Sequence, residues 1–231
     1  MNNKKVKITR YAVSSAMLVN ALAAPVAVFA ANESQSPDMA QAAIKELIDK
    51  AIMSGDENGD LNLEGKLTRA QVAGILARSL NLDTSKLPSS IFKDVSSDHW
   101  GLKYISIMDN LGVMTGANGS FRPNAILTKE ELAVILVRIT QTNIVGKGKN
   151  LQINDAHEVS DWAKGYVQAA IEAGFIPVQN GNFAPKSQVN RKEVAVLTAA
   201  FMKSEKFDQY KDEINKLLEE GKKISNSDPA A

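Results

Sequence analysis

The feature that most constrains this chain is an internal repeat. Residues 100–123 recur as residues 162–185, with the landmark residues at a constant spacing of 62. Both copies begin with a tryptophan and continue with apolar residues at helical spacing up to a glycine, Gly112 or Gly174. A glycine just after such a pattern is a common helix end. Repeats of this length predict a helical unit that buries its apolar face against neighbouring units.

A tight turn is expected after each of these helices. Asn-Gly occupies positions 118–119 in one copy and 180–181 in the other. This dipeptide favours the positive backbone angles of a two-residue turn. A phenylalanine follows in both copies, and we expect Phe121 and Phe183 to fold back into the core.

A second helix is expected to begin at a capping pattern in each copy. Thr128 and Asn190 are each followed three residues later by a glutamate, and such pairs satisfy the free amides of a first helical turn. Thr68 begins a similar pattern earlier in the chain, ahead of apolar residues at helical spacing. In that first copy the aromatic opening and the Phe-x-Pro turn are missing, and its first helix is expected to end near Gly55. The sequence therefore predicts an all-α, mainly helical protein with three units, at residues 37–82, 91–142 and 152–203.

An amphipathic helix is predicted at the C-terminal end, over residues 205–224. Its apolar residues fall on one helical face: Phe207, Tyr210, Ile214, Leu217 and Leu218. Such a stripe packs against its own domain or binds a partner, and the sequence leaves both possibilities open.

The first thirty residues have the three-part pattern of a secretory signal peptide. Four basic residues precede an apolar stretch from Tyr11 to Phe29, and small residues lie where a signal peptidase reads the chain. Cleavage is expected after Ala30. A retained membrane anchor is the alternative, although Pro25 disfavours it. We therefore expect a secreted protein of the cell wall or cell surface, with no membrane contact after cleavage.

The composition argues against several functional classes. The chain has 27 basic and 26 acidic residues, and removing the predicted signal leaves a slight acidic excess. This balance argues against a nucleic-acid partner, which requires a basic face. Cysteine is absent, which rules out disulfides and thiol catalysis.

We expect neither an enzyme nor a cofactor. No nucleophile motif, catalytic carboxylate pair or phosphate loop is recognisable in the sequence. Residues 56–67 imitate a calcium loop, but leucine stands at its sixth and twelfth positions, where glycine and glutamate are needed. We therefore expect no metal site.

The repeat resembles the surface-layer homology domain. The resemblance covers nearly all of the chain after the signal, and it is strongest in unit 2 and weakest in unit 1. That family usually carries three units, with a Thr-Arg-Ala-Glu motif at the start of each second helix. Here the motif starts at Thr68, Thr128 and Asn190, and each copy departs from the family pattern at one or more positions. In unit 2 the resemblance rests on Phe92, Asp94, Val95, Trp100, Gly112, Gly119, Phe121, Pro123 and residues 127–131.

The resemblance implies both a fold and a role. The fold has three helical prongs in a pseudo-threefold arrangement around a central three-helix bundle. The role is non-covalent anchoring to the bacterial cell wall through an anionic secondary polysaccharide, often one with ketal-linked pyruvate. Ligand grooves in the family lie between neighbouring units, near the basic residue of the motif.

The chemistry of the motif fits such a ligand. A helix N-terminus carries free amides and partial positive charge, an arginine can hold a carboxylate with two hydrogen bonds, and an aromatic ring can stack on a sugar. Plainer interpretations stay open: the basic groups as solvated surface residues, the tryptophans as core residues, and Asp94 as a turn former. We expect the polysaccharide to contact Arg69, Lys129, Arg191, Lys192, Trp100, Trp162, Asp94, Gly119 and Gly181.

Local charge ranks the three basic motif positions. Arg191 is followed by Lys192, whereas Lys129 is followed by two glutamates, which would repel a carboxylate. We therefore predict that replacing Arg191 weakens wall binding most, Arg69 less and Lys129 least. The competing hypothesis is an envelope assembly protein that keeps the fold but binds another envelope protein, for example through the C-terminal helix.

Overall fold

The computed structural model describes residues 37–55, 60–84, 92–204 and 207–219. Within these ranges the regular structure is helical, and β-structure is limited to isolated bridges. This confirms the mainly helical prediction. The predicted signal peptide lies outside the described residues. The helices are α1 (Pro37–Asp49), α2 (Arg69–Ser79), α3 (Leu102–Asn110), α4 (Lys129–Ile139), α5 (Lys164–Glu172), α6 (Arg191–Met202) and α7 (Phe207–Glu219), and the 3₁₀ turns Ala156–Glu158 and Asp161–Ala163 precede α5.

The second helices of the three units, α2, α4 and α6, are called the motif helices. Thr68, Thr128 and Asn190 cap them, and each side chain accepts a hydrogen bond from the amide three residues on. The side chain at that third position accepts from the cap amide in return. All three predicted capping boxes are therefore confirmed.

The turns between the two helices of units 2 and 3 also form as expected. Asn118 and Gly119 have φ values of 53° and 76°, and Asn180 and Gly181 have values of 50° and 80°. The phenylalanines that follow the turns are fully buried. The tight turns and the inward phenylalanines are thus confirmed.

The first helix of unit 1 ends earlier than predicted. α1 stops at Asp49, and Ala51 adopts a left-handed φ of 55°. The Ile52 amide then bonds back to the Leu47 carbonyl, at 2.8 Å. Ala51 therefore takes the place that Gly112 and Gly174 hold in the other units. The prediction of an end near Gly55 was wrong because the apolar spacing continues past a turn that alanine, not glycine, closes.

Each first helix packs against the motif helix of a different unit. α3 lies against α2, α5 against α4, and α1 against α6. In the first two of these contacts an arginine of the motif helix covers a tyrosine of its neighbour: Arg78 lies 5.1 Å from the Tyr104 ring centre, and Arg138 lies 5.3 Å from that of Tyr166. The units are therefore joined to one another rather than folded as separate hairpins.

The short segments just before the three helix caps, which contain Leu67, Leu127 and Val189, are called the capping segments. Backbone hydrogen bonds between them form a closed circuit. The Leu127 amide donates to Leu67 (3.0 Å), the Val189 amide to Leu127 (3.0 Å), and the Leu67 amide to Val189 (3.3 Å). Unit 1 thus contacts unit 3 directly, although the two are far apart in sequence. This circuit places the starts of the motif helices side by side.

The C-terminal helix packs on its own domain. Phe207 and Tyr210 contact the ring of Phe201 on α6, with centroid distances of 5.3 and 6.3 Å. Ile214 is fully buried. The part of the apolar stripe formed by Phe207, Tyr210, Ile214 and Leu218 is therefore directed at the rest of the chain.

Candidate functional site

The three basic motif residues lie at three unit-to-unit contacts. Arg69 of unit 1 reaches into unit 2. Lys129 of unit 2 faces Phe183 of unit 3, and Arg191 of unit 3 reaches Ser54 of unit 1. The structure thus brings each of them to a junction between neighbouring units, but not to one shared site.

Arg69 is enclosed by the protein itself. Its guanidinium donates to the carbonyls of Phe121 and Thr115, both at 2.9 Å, and pairs with Glu131 at 3.3 Å. Its charge also lies 4.7 Å from the Phe121 ring centre, and only 7% of the residue is exposed. Burial lowers the pKa of Arg69, while Glu131 opposes that shift. This arginine acts as a connection between units 1 and 2.

Arg191 has a similar but less complete set of partners. Its guanidinium donates to the Ser54 carbonyl, and Arg78 from the same junction donates to the Ile52 carbonyl at 2.8 Å. Burial lowers the pKa of Arg191, and the charge of Arg78 lowers it further. Two arginines therefore hold the turn that follows α1.

Lys129 has a different environment. Its ammonium lies 5.3 Å from the Phe183 ring centre. In the part of the chain that the structure describes, this ammonium forms no salt bridge and no hydrogen bond. Burial lowers its pKa below the ordinary value, opposed by the carboxylates of Glu193 and Asp155. Lys129 is thus a half-buried cation that lies over the Phe183 ring and has no hydrogen-bonding partner for its ammonium among the described residues.

A cavity of about 220 Å³ opens beside Lys129. The motif residues Lys192, Asn190 and Glu193 also line it. Here it is called the Lys129 cavity, and its remaining lining residues are Glu64, Leu132, Ile176, Pro177, Gln179, Val189, Val196 and Leu197. The wall is therefore mostly apolar, with two cations and two carboxylates among its charged groups.

The cavity occurs where two arginines of the other junctions are replaced. Lys129 replaces the arginine of the motif, and Ala200 occupies the position of Arg78 and Arg138. At the unit 1–unit 2 junction the corresponding arginines, Arg69 and Arg138, contact the backbone carbonyl and the hydroxyl of Thr115. The pair of arginines that contacts the turn after the first helix at that junction therefore has no equivalent at the unit 2–unit 3 junction.

The predicted ranking of the three basic residues counted only the charges next to each of them in the sequence, and the fold adds others. Glu130 is buried and accepts hydrogen bonds from the amide and hydroxyl of Ser160, at 3.0 and 2.9 Å, and from Lys186 at 2.6 Å. Glu131 is paired with Arg69 and Arg122, both at 3.3 Å. Both glutamates therefore have cationic partners from elsewhere in the chain, and the assumed repulsion at Lys129 is largely compensated.

The expectation of free amides at the motif helix starts was wrong. The first two amides of every motif helix donate to carbonyls of a neighbouring unit, as Lys129 does to Ser187 (2.9 Å) and Glu130 to Pro185 (3.1 Å). The third amide is bound by the cap side chain. Packing between units uses these donors, so a ligand must be held by side chains.

Asp94 and its counterpart Asp155 hold backbone turns. Asp94 accepts from the amides of Phe121 and Arg122, at 2.8 and 2.7 Å, and Asp155 binds the equivalent amides of unit 3. Desolvation acts to raise the pKa of each carboxyl, but the amide hydrogen bonds dominate and lower it. These contacts stabilise the positive φ of Arg122, 60°. The plainer interpretation of Asp94 fits this geometry.

Gly119 and Gly181 lie at the exposed tips of the two turns. The carbonyl of Gly119 accepts from the Lys93 amide at 2.9 Å, and that of Gly181 from the Asn154 amide at 2.8 Å. Neither glycine lines the Lys129 cavity. The positive φ at both positions accounts for the choice of glycine.

Trp100 and Trp162 are not core residues. Trp100 is 54% exposed and Trp162 is 52% exposed, and neither lines the Lys129 cavity. The structure therefore places both tryptophans outside the Lys129 cavity.

The apolar lining of the cavity escaped the sequence analysis. Pro177 and Ile176 follow the first helix of unit 3, and Leu132 and Val196 belong to motif helices. The repeat does contain one signal of this lining. Pro177 lies 62 residues after Thr115, so the unit 2–unit 3 junction has a proline where the unit 1–unit 2 junction has a polar threonine. No cluster of metal-binding side chains occurs among the described residues.

Comparison with known proteins identifies the family. The S-layer homology domain matches residues 34–73, 91–133 and 152–195, which is more than half of the chain. The protein therefore belongs to the S-layer homology domain family, as three tandem domains. This membership places it at the cell surface. No helix in the described ranges is long and apolar enough to cross a membrane.

Individual relatives match over a small part of their own length. A surface-layer 125 kDa protein of Lysinibacillus sphaericus is 32% identical over 68% of this chain, which spans 14% of that protein. A cellulosome-anchoring protein of Acetivibrio thermocellus is 25% identical over 63% of this chain and 34% of its own length. An amylopullulanase of Thermoanaerobacterium thermosulfurigenes is 28% identical over 67% of this chain, but only 8% of the enzyme is covered. The family and these relatives indicate cell-wall anchoring, and the activity of the amylopullulanase is not carried over to this chain, because so little of that enzyme is matched.

Proposed function

We propose that this protein anchors non-covalently to the bacterial cell wall by binding an anionic secondary polysaccharide, of the pyruvylated type, in the Lys129 cavity. The observation that carries the proposal is the half-buried Lys129 ammonium, which lines an open cavity and has no hydrogen-bonding partner among the described residues. A ligand carboxylate would supply the missing hydrogen bonds. An ion pair that is sheltered from water is also worth more than an exposed one.

The rest of the cavity fits the same class of ligand. Lys192 adds a second cation, and Glu193 and Glu64 offer acceptors for sugar hydroxyls. The apolar side chains of Leu132 and Val196 suit a methyl group such as that of a pyruvate ketal. These features support a sugar with one carboxylate, several hydroxyls and a small apolar substituent.

The same reasoning changes the order of the three basic positions. Arg69 and Arg191 already donate to backbone carbonyls of a neighbouring unit, whereas the Lys129 ammonium makes no hydrogen bond among the described residues. We propose that Lys129, ranked last from the sequence, contributes most to wall binding. We also infer that the three units are arranged with pseudo-threefold symmetry around the motif helices, which the closed circuit of backbone hydrogen bonds supports.

The test is cosedimentation of the purified protein with cell walls. Lys129→Met keeps the aliphatic stem over Phe183 but removes the charge, and it should weaken binding roughly ten- to hundredfold. Lys149→Ala, at an exposed lysine outside the cavity, is the matched control and should bind like the parent. Walls stripped of secondary polysaccharide should bind none of the three proteins.

Two outcomes would contradict the proposal. Undiminished binding to stripped walls would favour the assembly-protein hypothesis or a different wall component. Normal binding by a folded Lys129→Met variant would show that the cavity is not the site.

A further inference from the structure

We propose that Trp100, together with the flanking rings of His99 and Tyr104, forms a second sugar-binding surface that stacks on one pyranose ring of the same wall polysaccharide. The inference rests on the proposed function, because it assigns another subsite to the same polymer. These three residues are called the Trp100 ring cluster.

The Trp100 ring cluster is a continuous aromatic surface. The rings of His99 and Trp100 are stacked, with centroids 5.7 Å apart and planes inclined by 26°. The rings of Trp100 and Tyr104 are 6.4 Å apart and tilted. Trp100 is more than half exposed, and none of the three residues lines the Lys129 cavity. The surface is therefore available to solvent and distinct from the cavity.

Its neighbours hold the cluster in place. The His99 ring is fixed by a hydrogen bond from the Gly101 amide to Nδ1, at 3.0 Å. A Cβ atom at Gly101 would come within 3.1 Å of that ring, so any larger residue there would push against the His99 ring. Tyr104 is packed beneath Arg78, 5.1 Å from the ring centre. An aromatic surface that is already ordered loses little entropy on binding.

The charged groups beside the cluster, Lys103 and the exposed Asp98, favour a sugar over an apolar protein surface. The exposed Lys103 places its ammonium 5.0 Å from the Tyr104 ring centre, at the edge of the cluster. A pyranose ring presents C–H groups that pack on an indole face. Its hydroxyl or carboxylate substituents would reach the lysine, whereas an apolar helix would leave that charge unpaired. The cluster therefore fits one sugar of an anionic polysaccharide.

Trp162 provides an internal control. It is as exposed as Trp100, but no ring contact to it is found among the described residues. Tyr166, the counterpart of Tyr104, is buried, and Ala163 occupies the position of Gly101. Trp162 therefore lacks the supporting rings, and we assign the sugar-binding surface to Trp100 alone.

The test uses tryptophan fluorescence, since the chain contains only these two tryptophans. Trp162→Phe leaves Trp100 as the single reporter, and Trp100→Phe leaves Trp162. Each variant is titrated with polysaccharide released from purified walls and, in parallel, with a tetramer of N-acetylglucosamine. We expect the polysaccharide to protect Trp100 from acrylamide quenching and to leave Trp162 unaffected.

Affinity provides a second readout. Trp100→Ala should weaken polysaccharide binding about 3- to 10-fold, and Trp162→Ala should leave it unchanged. Thermal unfolding of both variants controls for folding. If the two subsites act on one polymer, Lys129→Met should reduce affinity further in the Trp100→Ala background.

Each result decides the proposal. Protection of both tryptophans, or of neither, while Lys129→Met still weakens wall binding would overturn the cluster and leave the anchoring function intact. Protection by the tetramer but not by the polysaccharide would assign the surface to the peptidoglycan glycan strand and contradict the proposed ligand. If the parent protein does not bind cell walls at all, both the anchoring function and the Trp100 ring cluster are contradicted.

Discussion

At the scale of single residues, the basic position of the motif has two environments. Arg69 is surrounded by carbonyl oxygens and a carboxylate of unit 2, and its planar group can satisfy several of them at once. The ammonium of Lys129 is a single charged centre, and a cavity remains beside it. The same position in the repeat therefore connects units in one junction and faces a cavity in another.

Removing the Arg69 side chain should destabilise the fold. In Arg69→Ala two carbonyls and the Glu131 carboxylate lose a buried partner, which should cost about 2–4 kcal/mol of unfolding free energy. Arg122→Ala is the matched control, because Arg122 pairs with the same Glu131 but is largely exposed, and it should cost about 0–1 kcal/mol. Urea denaturation measures both. A stable Arg69→Ala protein that no longer binds walls would instead make Arg69 a ligand contact.

Residue-level predictions succeeded where the cause was local. The cap of Thr128 and the turn at Gly119 depend on neighbours within a few residues, so the sequence displays them directly. The ranking of the basic positions depended on charges brought in from a distance. Glu130 is paired with Lys186, 56 residues away, and no local pattern indicates that pair.

At the scale of elements, the helices pair across units. Apolar periodicity identifies which face of a helix is buried, but it does not identify the helix that covers it. The sequence therefore predicted α1 and α6 as helices without indicating that they lie together. The Lys129 cavity was missed for the same reason, since its walls come from all three units.

Weakening α1 should loosen α6 rather than the motif helix of its own unit. Leu47 on α1 is fully buried, and Leu47→Ala should cost about 2–5 kcal/mol. Native-state hydrogen exchange should then show faster exchange in residues 191–202 than in 69–79, because α1 packs on α6. Met108→Ala on α3 is the counterpart, and its effect should appear in 69–79. Equal acceleration of both helices by both variants would contradict this pairing.

At the scale of the whole molecule, the contacts predict one cooperative unfolding transition. Every unit shares a helix–helix contact and backbone hydrogen bonds with the other two, so none retains its partners when another unfolds. Circular dichroism and tryptophan fluorescence should report coincident denaturation curves. Three separable transitions, or a folded fragment of unit 3 alone, would show that the units are independent.

The closed circuit of capping segments also affects how far the amino-acid sequence of each unit can diverge. In an open row of repeats the two end members have a single neighbour and need special outer faces, whereas a circle has no end member. Unit 1 has lost the aromatic opening and the Phe-x-Pro turn, yet its Leu63, Gly65 and Leu67 carbonyls still receive amides from the other units. Those acceptors belong to the main chain, so nearly any side chain preserves them. A unit in such a circle can therefore lose most of the family's sequence pattern while its backbone contacts remain necessary for the other two units.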